Sequence, residues 1–498
     1  MTKQIAAVPF LTLMLDSSSP IPLHRQLYDG LRHAILSGQL DMGTQLPSTR
    51  TLARELGISR TTVVTAFEQL LADGYLEARV GDGTYVARVL PEDLLSVRTR
   101  STQMVQQAPK VPLLSQRGTV LANTPVTATP RVEQPGAFRP GLPALDEVPF
   151  DIWERLACRY YRHPPRGLFA YGDSAGYRPL REAIAAYLST SRAVHCTATQ
   201  VIIVSGSQQA LDITARMLLD PNDAVWLEDP GYIGVRGALI GAGATVIPVP
   251  VDEEGLIVTA GEARCANAHM AYVTPSHQYP LGVVMSLKRR LALLEWADRA
   301  GARVLEDDYD SEYRYRGRPL ASLQGLDTKG QVIYMGTFSK VLFPALRLGY
   351  LVVPPDLADA FSTARALADR HSPPLEQAVL ADFITEGHFV RHIRRMRALY
   401  AQRQQVLLEA VQHELAGILE AAPQESGMHL IGWLPPDVDD KAVAQHAVMV
   451  GVEALPLSAF RLQTAQRPGL LLGYVGFNED EIREGVRRLA LVLERVMN

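Results

Sequence analysis

Apolar residues recur every three to four positions in the first part of the chain, which is the spacing of an amphipathic helix. A first helix carries its apolar face at Leu23, Leu27, Leu31, Ala34 and Ile35. Ser48 and Ser59 are placed as N-caps of two further short helices, and the tight connection at 56–59 has helix-turn-helix spacing. Residues 75–86 then read as a hairpin with its turn at 81–83.

The remainder of the chain divides into two regions with different sequence patterns. Residues 89–136 are rich in Pro, Thr, Gln and Val and keep no sustained period, which is typical of a linker. From about residue 137 onward, short apolar runs alternate with loops and helical stretches, as in a large α/β domain. We therefore expect a helix-turn-helix domain at 15–88, a flexible linker at 89–136 and an α/β domain at 137–498.

Composition narrows the class of protein. The 498 residues are 47% apolar and 20% charged with a net charge of −4, which excludes a disordered chain and a uniformly basic nucleic-acid binder. The three cysteines lie far apart without a CxxC pair, so we expect no disulfide framework and no metal site. No apolar run reaches the roughly 18 residues that cross a bilayer, and we expect a cytoplasmic protein without membrane contact.

The third helix of the first region is suited to reading DNA. With Val63 and Phe67 facing inward, Arg60 and Thr61 lie at its exposed N-terminal end, which can enter a major groove. Arg79 lies in the hairpin that follows. The alternative is an ordinary solvated helix face, since residues 22–88 contain seven arginines and seven acidic residues.

In the α/β region, chemically suggestive loops directly follow short apolar runs that read as strands. These loops are Ser205–Gln209, Glu228–Tyr232, Thr274–Gln278, Glu306–Asp310 and Gly336–Lys340. The carboxyl ends of parallel strands meet at one edge of a sheet, where α/β folds bind ligands. We therefore expect one site rather than five unrelated loops.

Lys340 is one of only six lysines and stands in an otherwise uncharged, apolar run. A lysine in such a setting can attack the aldehyde of pyridoxal phosphate, whose ring nitrogen needs an anionic partner such as Asp307 or Asp308. Ser207, Gln208, Thr337, Ser339 and Arg347 could bind the phosphate, and Tyr232 could cover the ring. Each residue alone has an ordinary structural explanation, but their joint order favours the cofactor.

The first region carries a family resemblance. Leu46–Ala53, Ser59–Val63, Asp73–Leu76 and Arg79–Val86 resemble the winged helix-turn-helix of the GntR regulators. The resemblance implies contacts with double-stranded promoter DNA. The residues it implies for those contacts are Arg50, Ser59, Arg60, Thr61, Arg79 and Gly81.

The α/β region resembles a second family. Thr337–Lys340 with Arg347–Gly349 is similar to the lysine signature of fold-type I, class I aminotransferases, and Tyr272–Gln278 with Glu306–Tyr313 is similar to the MocR subfamily of GntR regulators. This resemblance implies a large α/β/α domain with a small C-terminal α+β subdomain. It implies that Lys340 is the catalytic and Schiff-base lysine.

The same resemblance implies the remaining cofactor contacts. Asp307 would bind the pyridine nitrogen, Tyr309 the ring hydroxyl, and Tyr232 would stack on the ring. The phosphate would be held by Ser207, Gln208, Thr337, Ser339 and Arg347. Tyr171 matches an aromatic residue that, in aminotransferases, reaches across the dimer interface. This match implies a domain-swapped homodimer.

Two departures from the aminotransferase pattern bear on function. The loop usually written Asn-Pro-Thr-Gly reads His277–Gly282, and the strand that usually carries a carboxylate-binding arginine reads Gly469–Gly473 without one. Arg461 and Arg467 lie nearby and could replace that arginine in binding the carboxylate of an effector.

We therefore expect a pyridoxal phosphate-dependent transcription regulator that senses an amino-acid or pyridoxal-type effector, with at most residual aminotransferase activity. The alternatives are an active aminotransferase with a secondary DNA-binding module, and a cofactor-free DNA-binding scaffold.

Overall fold

The computed structural model describes residues 15–79, 81–90, 114–124, 136–317, 320–463 and 467–497. The chain divides into two compact units, residues 1–112 and 113–498. None of the described helices is long and apolar enough to span a membrane.

The first unit is a three-helix bundle followed by a hairpin. Its helices are α1 (Leu23–Leu36), α2 (Thr49–Leu56) and α3 (Arg60–Ala72). The caps predicted from the sequence are confirmed, because Ser48 accepts a hydrogen bond from the Thr51 amide and Ser59 from the Thr62 amide. Strands β1 (Leu76–Arg79) and β2 (Gly83–Val86) pair antiparallel.

The core of the first unit contains buried residues of α1, α3 and the hairpin. Leu27, Leu31, Val63 and Leu70 are fully buried, and Val86 of the hairpin joins them. The inward face of α3 therefore lies where the hydrophobic pattern predicts it, and Arg60 and Thr61 remain exposed.

The second unit contains thirteen helices among its described residues. They are α4 (Gln116–Ala122), α5 (Phe150–Arg162), α6 (Arg178–Arg192), α7 (Ser207–Leu218), α8 (Ile233–Ala242), α9 (Val258–Cys265), α10 (Leu287–Ala300), α11 (Leu323–Leu326), α12 (Ala358–Asp369), α13 (Pro374–Thr385), α14 (His388–Glu414), α15 (Asp440–Met449) and α16 (Glu479–Met497). Short 3₁₀ turns connect several of them.

An eight-stranded mixed sheet forms the centre of the second unit. Its strands are β3 (Val201–Val204), β4 (Ala224–Asp229), β5 (Thr245–Asp252), β6 (Gly255–Leu256), β7 (Met270–Val273), β8 (Arg303–Asp308), β9 (Val332–Thr337) and β10 (Gly349–Val352). Their order is β3-β10-β9-β8-β7-β4-β5-β6. Strands β5, β4, β7, β8 and β9 pair in parallel, and antiparallel β10 lies between β9 and β3.

This topology places the beginnings of the five predicted loops at one edge of the central sheet. Since β10 runs antiparallel to both of its neighbours, β3 has the same direction as β9. The carboxyl ends of β3, β4, β7, β8 and β9 therefore share one edge of the sheet, as the sequence predicts.

A smaller antiparallel sheet lies near the C-terminus. Its strands are β11 (Glu420–Ala421), β12 (His429–Trp433), β13 (Leu455–Pro456) and β14 (Gly469–Gly473), in the order β11-β12-β14-β13. Helix α16 packs against the long α14, and α15 against α16.

Part of the segment expected to be a flexible linker has regular structure. Helix α4 packs on α8, where a Cβ added at Gly241 would lie 3.2 Å from the Leu121 side chain. The absence of a side chain at Gly241 therefore leaves room for Leu121. This helix has no periodic hydrophobic pattern because it is short and most of its side chains are exposed.

Candidate functional site

The five predicted loops meet in one cavity of about 220 Å³ in the second unit. Its lining residues are Pro140, Gly141, Ser207, Gln208, Tyr232, Tyr272, Thr274, Tyr279, Asp307, Tyr309, Thr337, Ser339, Lys340, Pro344, Arg347, Met428 and His429. The convergence inferred from the strand pattern is thus present in the structure.

Lys340 follows β9 and reaches this cavity with its amine. Its Nζ donates a hydrogen bond of 2.8 Å to the Gly141 carbonyl. Burial lowers the pKa of Lys340, and the nearby carboxylates of Asp310 and Asp307 oppose that shift only in part. Burial therefore favours the neutral, nucleophilic amine more than water would.

Neighbouring carboxylates at the end of β8 face opposite sides of the sheet. Asp307 lines the cavity, accepts a 2.6 Å hydrogen bond from the Tyr272 hydroxyl, and has its Oδ1 buried without a partner. Burial raises the pKa of Asp307 to about 7. Asp308 instead accepts hydrogen bonds from Arg192 at 2.8 Å and Tyr334 at 2.5 Å. The Oδ1 of Asp308 is also buried without a partner, but only Asp307 of this pair lines the cavity and can bind a cationic group there.

The other end of the cavity is rich in hydrogen-bond donors. Ser207 and Gln208 begin α7, while Thr337 and Ser339 follow the end of β9. The Ser339 hydroxyl is buried without a partner. Such a set of hydroxyls at a helix N-terminus is suited to a phosphate group.

Arg347 completes this end of the cavity. Its Nη2 donates a 2.7 Å hydrogen bond to the Ser205 carbonyl. A Cβ added at Gly206 would lie 2.9 Å from the Arg347 guanidinium, and Gly206 adopts a φ of +92°. A glycine is thus required for the backbone to pass this close to the arginine.

Aromatic rings form the walls of the cavity. The Tyr232 hydroxyl accepts a 3.2 Å hydrogen bond from Gln208 and its ring packs edge-on against Tyr279. Tyr279 also packs edge-on against Tyr309. A flat ring system can be held between such faces.

Several lining residues were missed by the sequence reasoning. Tyr279 lies in the loop already noted for its departure from the aminotransferase pattern, so an aromatic residue before proline was the available signal. Tyr272 lies in the strand before the predicted loop 274–278, so its position was available from the strand pattern. Gly141 and His429 had no local signal, because they enter from distant parts of the chain.

Two family models match this chain. Residues 152–489 match the family described as aminotransferase class I and II. Residues 23–86 match the gntR family of bacterial regulatory proteins.

A relative that has both regions decides the family. The chain is 44% identical over 477 residues to the probable rhizopine catabolism regulatory protein MocR of Rhizobium meliloti, covering 96% of this chain and 95% of that protein. The chain belongs to the MocR subfamily of GntR-type transcription regulators. It is also 35% identical to the HTH-type transcriptional regulator YdeL of Bacillus subtilis, covering 97% and 98% of the two chains.

Solved structures support the fold of this MocR-subfamily chain. The α-aminoadipate aminotransferase LysN of Thermus thermophilus matches with a TM-score of 0.67 and 31% identity, covering 72% of this chain and 92% of that one. The predicted winged helix-turn-helix joined to a fold-type I aminotransferase domain is confirmed. The family supports the DNA-binding regulator over the active aminotransferase.

Three predicted site residues of this MocR-subfamily chain lie outside the cavity. Tyr171 is 86% exposed, and its ring contacts His371 and Arg370. Arg461 donates to the Arg467 carbonyl, and Arg467 pairs with Glu420.

Neither arginine lines the cavity of this single chain. The assignment of Arg461 and Arg467 to an effector carboxylate stays a prediction.

The predicted DNA contacts of this MocR-subfamily chain lie on the surface of the first unit. All six are exposed: Arg50, Ser59, Arg60, Thr61, Arg79 and Gly81. The Arg60 Nε lies 3.5 Å from the Thr49 hydroxyl, and Arg79 stacks over the Tyr85 ring at 4.3 Å. Among the described residues no acidic side chain forms an ion pair with Arg60, so its charge is available to a phosphate or base.

Proposed function

We propose that this regulator binds pyridoxal 5'-phosphate on Lys340 and uses it to sense an effector. The observation that carries the proposal is the unpartnered, buried Oδ1 of Asp307 in the same cavity as the buried Lys340 amine. An unpaired buried oxygen is costly, and a protonated pyridine nitrogen would satisfy it. When bound, the cofactor supplies an aldehyde carbon that reacts covalently with amines.

The lining residues have distinct tasks in this proposal. Lys340 supplies the attacking amine, and Asp307 holds the proton on the ring nitrogen. Tyr232 stacks on the ring, while Tyr309 donates to the ring hydroxyl. The phosphate is bound by Ser207, Gln208, Thr337, Ser339 and Arg347. The unpartnered Ser339 hydroxyl and the close approach of Gly206 to Arg347 support this end of the assignment.

We further propose an amino-acid or pyridoxal-type effector that biases a homodimer between two states on promoter DNA. A full change of population from 1:99 to 99:1 needs about 5.5 kcal/mol of differential binding. The exposed ring of Tyr171 supports a domain-swapped, head-to-tail dimer in which it enters the partner's cavity. Such a regulator acts in the cytoplasm.

Efficient transamination is not part of the proposal. Arg347 is the one arginine among the described lining residues, and it belongs to the phosphate end. With no second arginine at the other end, a substrate carboxylate lacks a bidentate partner. We therefore propose at most residual aminotransferase activity.

Visible absorbance tests the cofactor assignment. Wild-type protein mixed with pyridoxal phosphate should show a band that persists after gel filtration, and Lys340→Ala should lose it. The exposed Lys288 provides a matched control, since Lys288→Ala should keep the band. Equal bands in the two variants, or none in wild type, would contradict the proposal.

Effector sensing is tested in the same samples. Amino acids that change the band should also change the shift of the protein's own upstream DNA. Multiple-turnover formation of oxo acids without any effect on the DNA shift would favour the aminotransferase alternative instead.

A further inference from the structure

A buried hydrogen-bonded group lies behind Tyr309 at the edge of the Lys340 cavity. The Nδ1 atom of His277 lies 2.9 Å from the Tyr309 phenol oxygen and 3.0 Å from Oδ2 of Asp310. The side chains of His277 and Asp310 are each 1% exposed. Tyr309 lines the cavity, whereas His277 and Asp310 are not among its lining residues. His277 and Asp310 can therefore influence a molecule in the cavity only through their effect on Tyr309.

The contacts define which atom carries the hydrogen. A carboxylate can only accept, so the 3.0 Å contact with Asp310 requires a hydrogen on the Nδ1 atom of His277. That N–H also faces the phenol oxygen of Tyr309, which acts as an acceptor in this contact. The hydroxyl hydrogen of Tyr309 is consequently not used by His277.

We infer that His277 and Asp310 are positioning residues that keep Tyr309 a hydrogen-bond donor toward the cavity. This inference rests on the proposed function, because the acceptor is the ring hydroxyl oxygen of the cofactor. Without the Nδ1 hydrogen, the Nδ1 atom of His277 would itself become an acceptor 2.9 Å from the Tyr309 hydroxyl. The phenol would then turn its hydrogen away from the cofactor.

Other groups around Tyr309 do not compete for this task. Tyr279 meets it ring edge to ring face, with centroids 5.8 Å apart. His429 donates from Nε2 to the Pro280 carbonyl at 3.0 Å and is held neutral, since burial lowers its pKa to about 3. The ionisable groups near the cavity are Asp307, Asp310, Glu228, Lys340, Arg347 and Arg139.

The pKa of the cofactor–lysine linkage reports the Tyr309 hydrogen bond. A donor to the ring oxygen stabilises the anionic form of that oxygen, so the linkage nitrogen releases its proton more readily. Loss of the donor should raise this pKa by about one to two units, the size expected for a hydrogen bond to a charged group. The pKa is read from the visible band as a function of pH.

Four variants separate positioning from general structure. Tyr309→Phe should raise the linkage pKa, and His277→Leu should raise it by a similar amount. His277→Asn can place an N–H near the former Nδ1 position and should stay near wild type. Combining His277→Leu with Tyr309→Phe should add nothing beyond Tyr309→Phe alone, because both remove the same hydrogen bond.

Two results would overturn the inference. One is an unchanged linkage pKa in His277→Leu while Tyr309→Phe raises it, and the other is full additivity in the double variant. Should His277→Leu fail to fold, His277→Phe replaces it and is compared with Tyr309→Phe in the same way. An unchanged linkage pKa then overturns the inference, and a rise supports it.

A measurement without cofactor keeps this inference separate from the proposed function. The ¹⁵N resonances of His277, assigned by their loss in His277→Leu, should show the hydrogen on Nδ1 in cofactor-free protein. A hydrogen on Nε2 would contradict the inference. Absence of any visible band in wild type would instead refute cofactor binding and leave the tautomer result standing.

Discussion

Single buried residues around Lys340 are held in defined protonation states by the groups that surround them. His392 of α14 illustrates this outside the cavity lining. Its Nε2 lies 3.0 Å from the carbonyl of Val341, the residue that follows Lys340. Burial lowers the pKa of His392 to about 4, so the neutral ring donates this hydrogen bond at neutral pH. The backbone next to Lys340 is thus tied to a helix of the C-terminal part.

His392 should make stability depend on pH in a known direction. Its folded pKa of about 4 lies below the unfolded value of 6.5, so the unfolded chain binds the proton first as the pH falls. The stabilisation is present above pH 6.5 and is lost toward pH 4, by about 3 kcal/mol. Urea unfolding should show that wild type loses more stability on acidification than His392→Gln, which keeps an N–H donor.

The exposed His163 supplies the control for this measurement, since His163→Gln should follow wild type at every pH. Parallel pH curves for wild type and His392→Gln would rule out the role of His392.

At the level of helices, strands and loops, the features that depend on neighbouring residues were predictable from the sequence. The capping serines and the inward faces of helices α1 to α3 follow from short-range pattern. So do the five loops that line the Lys340 cavity. Contacts between remote segments were not predictable in this way. Gly141 meets Lys340 across 199 residues, and His429 enters from the small sheet. The contacts of Arg461 were not predictable for the same reason, because a position near β14 does not fix the direction of a side chain.

The N-terminal end of α3 is the element on which DNA recognition depends. Arg60→Ala should weaken promoter binding by about 1–3 kcal/mol if the guanidinium contacts a base, because a bidentate contact is lost. Arg54→Ala is a matched control, since Arg54 is exposed on α2 and lies outside the predicted contact set. Fluorescence anisotropy with a labelled upstream fragment measures both. Equal affinities for wild type and Arg60→Ala would remove Arg60 from the interface.

At the level of the whole molecule, each compact unit has a hydrophobic core of its own. Leu31 is fully buried in the core of the first unit, and Leu188 of α6 is fully buried in a core of the second. Because no residue of the first core belongs to the second, damage to one should leave the other folded.

Core truncations should therefore separate the two functions. Leu31→Ala should destabilise the DNA-binding unit by about 2–5 kcal/mol and reduce promoter binding while the visible cofactor band melts as in wild type. Leu188→Ala should lower the temperature at which that band is lost. A Leu31→Ala protein whose visible band melts earlier by the same amount would show that the two units unfold together.

The opposite orientations of Asp307 and Asp308 constrain how this protein can change during evolution. Because side chains alternate along β8, the insertion or deletion of one residue in that strand would exchange their places. Arg192 and Tyr334 would then lose their acceptor, and a carboxylate would be displaced from the cavity. We expect natural variation in length to accumulate in the surface connections and to spare β8, so that a regulator of this kind can acquire a new effector only by substitution around an unchanged strand.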